Sequence, residues 1–195
     1  MATLPFAEGF ENATLASYWQ SNSTNTGRIQ VTVQNGPFAG AGHLTMDSAI
    51  QQSPSRNQLT LLIGLQGYRE VELRLQHRFF SDEGDSMPAS FFNASDSDGI
   101  AISADGTSWH KVQGLTPAEG VTSNYKAFVI DLDAATATAG IDYTQQFRIR
   151  FQQFDDLPIP TDGFSFDNVT ITGTNIGTGT NIGAILPAIH LTARR

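Results

Sequence analysis

Acidic residues supply the main chemistry that this sequence could perform. They crowd into FSDEGDSMPASFFNASDSDG and recur in a later segment, and they comprise Asp82, Glu83, Asp85, Asp96, Asp98, Asp155, Asp156 and Asp162. Carboxylate oxygens are the ligands that Ca²⁺ prefers, in shells of about six to eight oxygens. We therefore take Asp82, Asp98 and Asp162 as candidate calcium ligands. A solvated acidic loop that keeps the protein soluble is the alternative, and the sequence leaves both open.

Known catalytic and calcium-binding motifs do not match this chain. An EF-hand fails at both ends, because Ala94 occupies the first ligand position and Asp105 stands where a bidentate Glu is expected. The chain has no GxSxG, HExxH or P-loop motif and no cysteine, and its four histidines lack metal-ligand spacing. We predict a protein that is not an enzyme. A carboxylate pair for glycoside hydrolysis stays open, because its spacing is spatial and not sequential.

Aromatic side chains could bind sugars by stacking on the apolar faces of pyranose rings. The candidates are Tyr18, Trp19, Tyr68, Trp109, Tyr125 and Tyr143. From this set we select Trp109 and Tyr125 as ligand-binding residues. Burial in the core is the alternative, and Trp109 in particular lies where a hairpin returns, a place where sandwiches bury a large ring.

Charge and composition argue against several classes of function. The formal net charge of −8, from 11 basic and 19 acidic residues, repels phosphate backbones and therefore argues against nucleic-acid binding. No apolar run reaches the roughly 20 residues of a membrane helix. The N-terminal MATLPFAEGF lacks the charged and apolar regions of an intact signal peptide, so we expect any signal to have been removed already.

The elements that must position these residues are predicted to be β-strands. Apolar residues recur at every second position in RIQVTVQ, YREVELRLQHRFF, GIAIS, KAFVIDL and FRIRFQQF, with turn signals between them. The segment DAATATAGI predicts one short helix, capped by Asp133 and ending at Gly140. The chain is therefore predicted to be all-β, a two-sheet antiparallel β-sandwich (jelly roll) over residues 1–173.

Residues 174–195 differ from the predicted domain in composition. A Gly/Thr/Asn-rich hinge contains TNIG twice, and a short apolar run follows it. A flexible linker is one interpretation. The other is a strand that adds to the sheet of a neighbouring copy, and its apolar residues would be Ile185, Leu186, Ile189 and Leu191. Head-to-tail addition of this kind would build a homo-oligomer, fibre or lattice.

The strand pattern of GFSFDNVTIT breaks in the middle. Phe164 and Phe166 share one face, but the next apolar pair, Val169 and Ile171, is out of step by one residue. Side chains alternate between the faces of a strand, so one extra residue swaps the buried face. The pattern therefore predicts a β-bulge at residues 167–168 that re-aims an aspartate.

A family resemblance rests on three segments, LPFAEGFEN, DGIAISADGTSWHKV and FRIRFQQFDDLPIPTDGFSFDNVTITG. Together they resemble bacterial extracellular jelly-roll modules of the MAM-like and cleaved-adhesin type, and they are similar to the calcium-bearing sandwiches of carbohydrate-binding modules. The resemblance covers roughly residues 3–173. It implies a secreted or surface-attached, non-catalytic module that binds glycans or proteins in adhesion.

The same resemblance implies a calcium site. It places the first and last strands side by side, so that Glu11 and Asp167 share one Ca²⁺ ion, with Asp47 approaching from a neighbouring strand. We therefore predict a calcium-stabilised extracellular binding module. The alternative is a structural subunit that self-assembles through its C-terminal strand.

Overall fold

The alternating apolar residues form two antiparallel β-sheets, as the sequence predicts. The computed structural model describes residues 1–51, 53–157 and 162–177. Its strands are β1 (Phe6–Glu8), β2 (Trp19–Ser23), β3 (Gly27–Thr32), β4 (His43–Ser48), β5 (Ser55–Ile63), β6 (Tyr68–Phe80), β7 (Ser90–Phe92), β8 (Gly99–Ser103), β9 (Ser108–Gly114), β10 (Lys126–Asp131), β11 (Phe147–Asp155) and β12 (Gly163–Asn175). Within these ranges a short helix, α1 (Leu132–Ala139), and a 3-10 turn at Pro117–Glu119 accompany the strands.

The order of the strands is that of a jelly-roll sandwich. The first sheet runs β10-β6-β12-β4-β3, and β1 also pairs with β12. The second sheet runs β2-β5-β11-β8-β9-β7. Except for β3 with β4 and β8 with β9, neighbours in each sheet are not consecutive in sequence, so the chain crosses repeatedly between the sheets. The predicted fold class is confirmed.

Large aromatic side chains fill the space between the two sheets. Phe147 and Phe151 of β11 lie in this core with Phe164 and Phe166 of β12, and each is at most 1% exposed. The rings of Phe151 and Phe166 meet edge to face, with their centroids 5.3 Å apart. Burying a Phe side chain stabilises the fold by about 1.5 to 3 kcal/mol, so these four residues tie the two sheets together.

The predicted β-bulge lies at Asp167 and Asn168. The register of β12 against β6 shifts between Asp167 and Thr170, and Asn168 has a φ of 47°. Before the bulge, Phe164–Phe166 pairs with β4, and after it, Val169–Ile171 pairs with β1. The bulge therefore marks the point where β12 exchanges one partner strand for another.

The helix begins two residues earlier than the sequence suggested. Asp131 is the N-cap, and its Oδ1 accepts a hydrogen bond of 2.9 Å from the Ala134 N–H. Gly140 ends the helix with a φ of 66°, as predicted. The prediction of Asp133 as the cap is wrong, because its carboxylate accepts hydrogen bonds from the backbone of β6 at Glu70 (2.6 Å) and Val71 (3.1 Å).

Strand β12 continues to Asn175, just past the predicted end of the domain at residue 173. The proposed assembly residues lie outside the described part of the chain, and they are Ile185, Leu186, Ile189 and Leu191. Their role stays a prediction. Among the described residues, no helix has the length and apolar character needed to cross a membrane.

Candidate metal centre and ligand-binding surface

Carboxylates from three chain segments meet at one end of the sandwich, which we call the acidic end. Asp82 lies just beyond Ser81, the residue after the end of β6. Asp155 is the last residue of β11, and Asp162 precedes the first residue of β12. Strands β6 and β12 pair there through Phe80 and Gly163. Because β11 belongs to the other sheet, both sheets contribute acidic residues to this end.

Asp82, Glu83 and Asp155 form a compact group that we call the Asp155 cluster. Each offers one carboxylate oxygen, and these oxygens lie within 4.8 Å of one another. Asp155 is fully buried, and neither of its oxygens has a hydrogen-bond partner. Asp82 is 6% exposed; its Oδ1 accepts a 3.0 Å hydrogen bond from Gln153 Nε2, and its Oδ2 has no partner. Three buried carboxylate oxygens thus lack a donor.

In the part of the chain that the structure describes, no basic side chain offsets the burial of these carboxylates, and their pKa values rise. Burial, assisted by the charge of Asp98, raises the pKa of Asp82 to about 10. Burial, assisted by Glu83, raises the pKa of Asp155 to about 6. The Ser48 hydroxyl and Leu157 N–H lower the Asp155 pKa from nearby, although neither makes a hydrogen bond of normal geometry. Among the described residues, no Lys, Arg or His forms an ion pair with the cluster.

The predicted ligands Asp98 and Asp162 also lie at the acidic end. Both are at most 1% exposed, and the charge of each raises the pKa of Asp82. Asp98 uses both of its oxygens on the backbone: Oδ1 accepts from Phe154 N and Oδ2 from Asp85 N, each at 2.8 Å. Asp98 therefore fastens the connection between β6 and β8 onto β11.

The predicted site did not include Asp155 or Glu83. Strand β11 carried a signal for the first of them, because Phe147, Phe151 and Asp155 share one face of an alternating strand. Asp155 therefore had to point inward between the sheets. Its burial at the edge of the core distinguishes it from its neighbour Asp156, which is exposed.

Glu11 and Asp167 hold the loop that connects β3 with β4. Asp167 Oδ2 accepts hydrogen bonds from the N–H groups of Phe38 (2.9 Å) and Ala39 (3.1 Å). Glu11 Oε2 accepts one from Ala41 N at 2.7 Å. The implied pairing of the first and last strands is present, and both carboxylates reach the same loop. Calcium binding between them stays a prediction.

Asp47 does not approach Glu11 and Asp167 as expected. Its two oxygens accept hydrogen bonds from Arg28 Nε (2.7 Å) and Nη2 (2.8 Å) in a bidentate ion pair. Strand β4 pairs with β12 so that Asp47 lies toward Gly163, at the acidic end, and not toward the bulge. The direction in which β4 runs along β12 determines the position of Asp47, and this direction could not be predicted from the sequence.

Trp109 is not on the surface. Its side chain is 1% exposed, and the Arg150 guanidinium carbon lies 3.6 Å from its ring centroid. Met87 and Phe91, from the connection between β6 and β8, pack against the same ring. The structure therefore buries Trp109 under that connection, where its ring cannot stack on a ligand.

Tyr125 lies at the surface beside an exposed phenylalanine. Its hydroxyl hydrogen-bonds with His43 Nδ1, and the Arg78 guanidinium carbon lies 4.6 Å from its ring centroid. The ring of Phe38 meets Tyr125 edge to face at 5.6 Å and is part of a residue that is 47% exposed. We call these three side chains, Phe38, Arg78 and Tyr125, the Phe38–Tyr125 surface. Sequence reasoning missed Phe38, because it lies in a loop without a strand pattern.

Comparisons with known proteins identify the fold. No family model matches the chain, and no curated protein matches its sequence. The tandem CBM22 domain from Paenibacillus barcinonensis Xyn10C superposes with a TM-score of 0.52 at 14% identity, covering 92% of this chain and 47% of that one. The chain thus spans about half the length of that structure. This likeness supports the sandwich fold.

Two further solved structures are similar at lower scores. One is a family 11 carbohydrate-binding module from Clostridium thermocellum in complex with a β-1,3-1,4-mixed-linked tetrasaccharide, with a TM-score of 0.48, 12% identity, and coverage of 86% of this chain and 94% of that one. The other is the K2 cleaved adhesin domain of Lys-gingipain, with a TM-score of 0.49, 11% identity, and coverage of 87% and 98%.

Proposed function

We propose that this chain is a non-catalytic binding module that works outside the cell and takes a glycan ligand on the Phe38–Tyr125 surface. The observation that carries the proposal is the exposed Phe38 ring beside the half-buried Tyr125. Aromatic rings of this kind pack against the apolar faces of sugars, while nearby polar groups bind the hydroxyls. Arg78 supplies such a group next to the Tyr125 ring.

The loop that carries Phe38 is fixed before any ligand arrives. Asp167 and Glu11 together accept three backbone N–H groups from it. On its other side, Arg78 donates to the carbonyl of Gly36 at 3.1 Å, and His43 Nε2 lies 2.7 Å from the carbonyl of Gln34. A preorganised loop loses little conformational entropy on binding, which favours affinity.

A glycan array followed by calorimetry tests this proposal. Phe38→Ala should weaken binding of the best array glycan at least about tenfold, the equivalent of one lost stacking contact. Phe92→Ala is the matched control, because Phe92 is 68% exposed but lies on the other sheet, and it should bind as the parent does. An array without any bound glycan would overturn the glycan class and leave a protein ligand. Unchanged binding by Phe38→Ala would place the ligand elsewhere.

We propose in addition that Ca²⁺ stabilises the module from a separate part of the molecule, the acidic end. Neither the ligand surface nor its loop includes a residue of the Asp155 cluster.

A further inference from the structure

We propose that the Asp155 cluster is a Ca²⁺-binding site. This proposal goes beyond the proposed ligand-binding function and does not depend on it. The site is also distinct from the Glu11–Asp167 pair, since Asp155 ends β11 whereas Asp167 lies in the bulge of β12.

The spacing of the oxygens fits one calcium ion. Ca²⁺ binds oxygens at about 2.3 to 2.6 Å, so two ligands on opposite sides of the ion lie at most about 5 Å apart. The oxygens of Asp82, Glu83 and Asp155 lie within 4.8 Å of one another. A single ion can therefore contact all three carboxylates without a large rearrangement.

The burial of these oxygens calls for a cation. A buried carboxylate without a partner is expensive, and proteins normally satisfy such groups with donors or metal ions. Asp155 is fully buried with both oxygens unpartnered, and Asp82 Oδ2 is in the same condition. No basic side chain of the described residues pairs with the cluster, so a bound cation would supply a positive charge that these residues do not.

The donor set selects calcium among the common metal ions. All three ligands are carboxylates, and the cluster includes no His or Cys, which zinc prefers. The carboxylates come from two separate chain segments, and Asp162 lies close by on a third, which suits the large and flexible shell of Ca²⁺. Magnesium requires a near-ideal octahedron at shorter distances and usually keeps several waters.

An ion at this position would join the two sheets. Asp82 and Glu83 begin the connection that covers Trp109, and Asp155 ends the central strand of the second sheet. Calcium would therefore stabilise both the end of the sandwich and the covering connection. It would bind the folded chain far better than the unfolded chain, and the melting temperature would depend on its concentration.

Calorimetric titration of the chelator-treated full chain with CaCl₂, paired with thermal melts, tests the proposal. At a free Ca²⁺ concentration of about 100 times Kd, the melting temperature should rise by roughly 5 to 10 °C. Asp155→Asn should weaken Ca²⁺ binding at least about 100-fold. Asp142→Asn is the control, since it removes one exposed carboxylate near the opposite end of β11 and should bind as the parent does.

A second variant guards against a folding defect. Glu83 is only partly buried, so Glu83→Gln should fold normally and still weaken Ca²⁺ binding at least about tenfold. A parent chain that shows neither heat of binding nor a shift in melting temperature overturns the proposal. Normal Ca²⁺ binding by Asp155→Asn would also overturn the proposal. Loss of Ca²⁺ binding in Asp167→Asn alone would show that the ion binds at the bulge instead. Phe38→Ala should bind Ca²⁺ like the parent, so this test and the glycan test fail independently.

Discussion

Lowering the pH from 7 to 5 should remove stability that one buried residue, His77, contributes. This side chain lies on β6 with no exposed surface and stacks on Phe166 at 4.6 Å. Its Nδ1 lies 3.0 Å from the carbonyl oxygen of Ser165, to which it donates, and its Nε2 has no hydrogen-bond partner. A second proton would therefore enter an apolar space without an acceptor.

The size of the effect follows from the pKa of His77. Burial lowers this pKa from 6.5 to about 3, so the unfolded chain binds a proton that the folded chain refuses. The stability contributed by neutral His77 is thus fully present above pH 6.5 and is lost progressively as the pH falls toward 3. Each pH unit in that window costs about 1.4 kcal/mol, which gives about 2 kcal/mol at pH 5.

The assay compares urea unfolding of the parent and of His77→Phe at pH 7 and pH 5, with the Ca²⁺ concentration held constant. Phenylalanine keeps the ring beside Phe166 and removes the titrating group. The parent should lose about 2 kcal/mol more than the variant between the two pH values, because other titrating groups cancel in the difference. Equal losses in both proteins would refute the reasoning and mean that folded His77 accepts its proton freely.

Three further predictions concern the positions that shape the sandwich. Gly163→Ala should lower the free energy of unfolding in urea by roughly 3 kcal/mol or more, because a Cβ there would lie 2.2 Å from the Met46 carbonyl oxygen at a φ of 133°. Gly36→Ala is the control, because its Cβ would meet nothing within 4 Å at a φ of 76°. It should cost only about 1 kcal/mol. Similar costs at both positions would count against the packing at Gly163. Phe166→Ala should cost about 3 to 5 kcal/mol by leaving a cavity between the sheets, and a loss below about 1 kcal/mol would contradict its burial. Asp167→Ala should free the loop between β3 and β4, so that hydrogen exchange of the Phe38 and Ala39 amides becomes faster. Exchange of the Leu61 amide in β5 should stay unchanged. Unchanged exchange at the two loop amides would contradict the role of Asp167.

The sheets were predictable because the two faces of a half-buried strand differ in polarity. The bulge was predictable for the same reason, since Phe166 and Val169 both had to face the core. The cause of the bulge was not predictable, because β12 changes its partner strand from β4 to β1 there, and both partners are distant from β12 in sequence. The helix cap failed for a related reason: Asp131 and Asp133 are both good caps locally, and a contact with β6 decides between them.

The acidic end was only partly predictable. Sequence showed that Asp82, Asp98 and Asp162 belong to acid-rich segments, and the alternation of β11 indicated that Asp155 faces inward. Which carboxylates meet Asp155 there depends on the pairing of strands that are distant in sequence. The burial of Trp109 could not be predicted from strand alternation. Alternation places it on the outer face of its sheet, and only the connection that packs over it makes it part of a core.

An anomalous difference map from crystals of the full chain grown in CaCl₂ tests the calcium site most directly. The account predicts one calcium peak among the carboxylates of Asp82, Glu83 and Asp155, with oxygens at about 2.3 to 2.6 Å from the ion. A map with no peak at the acidic end, or with its only peak between Glu11 and Asp167, would contradict it.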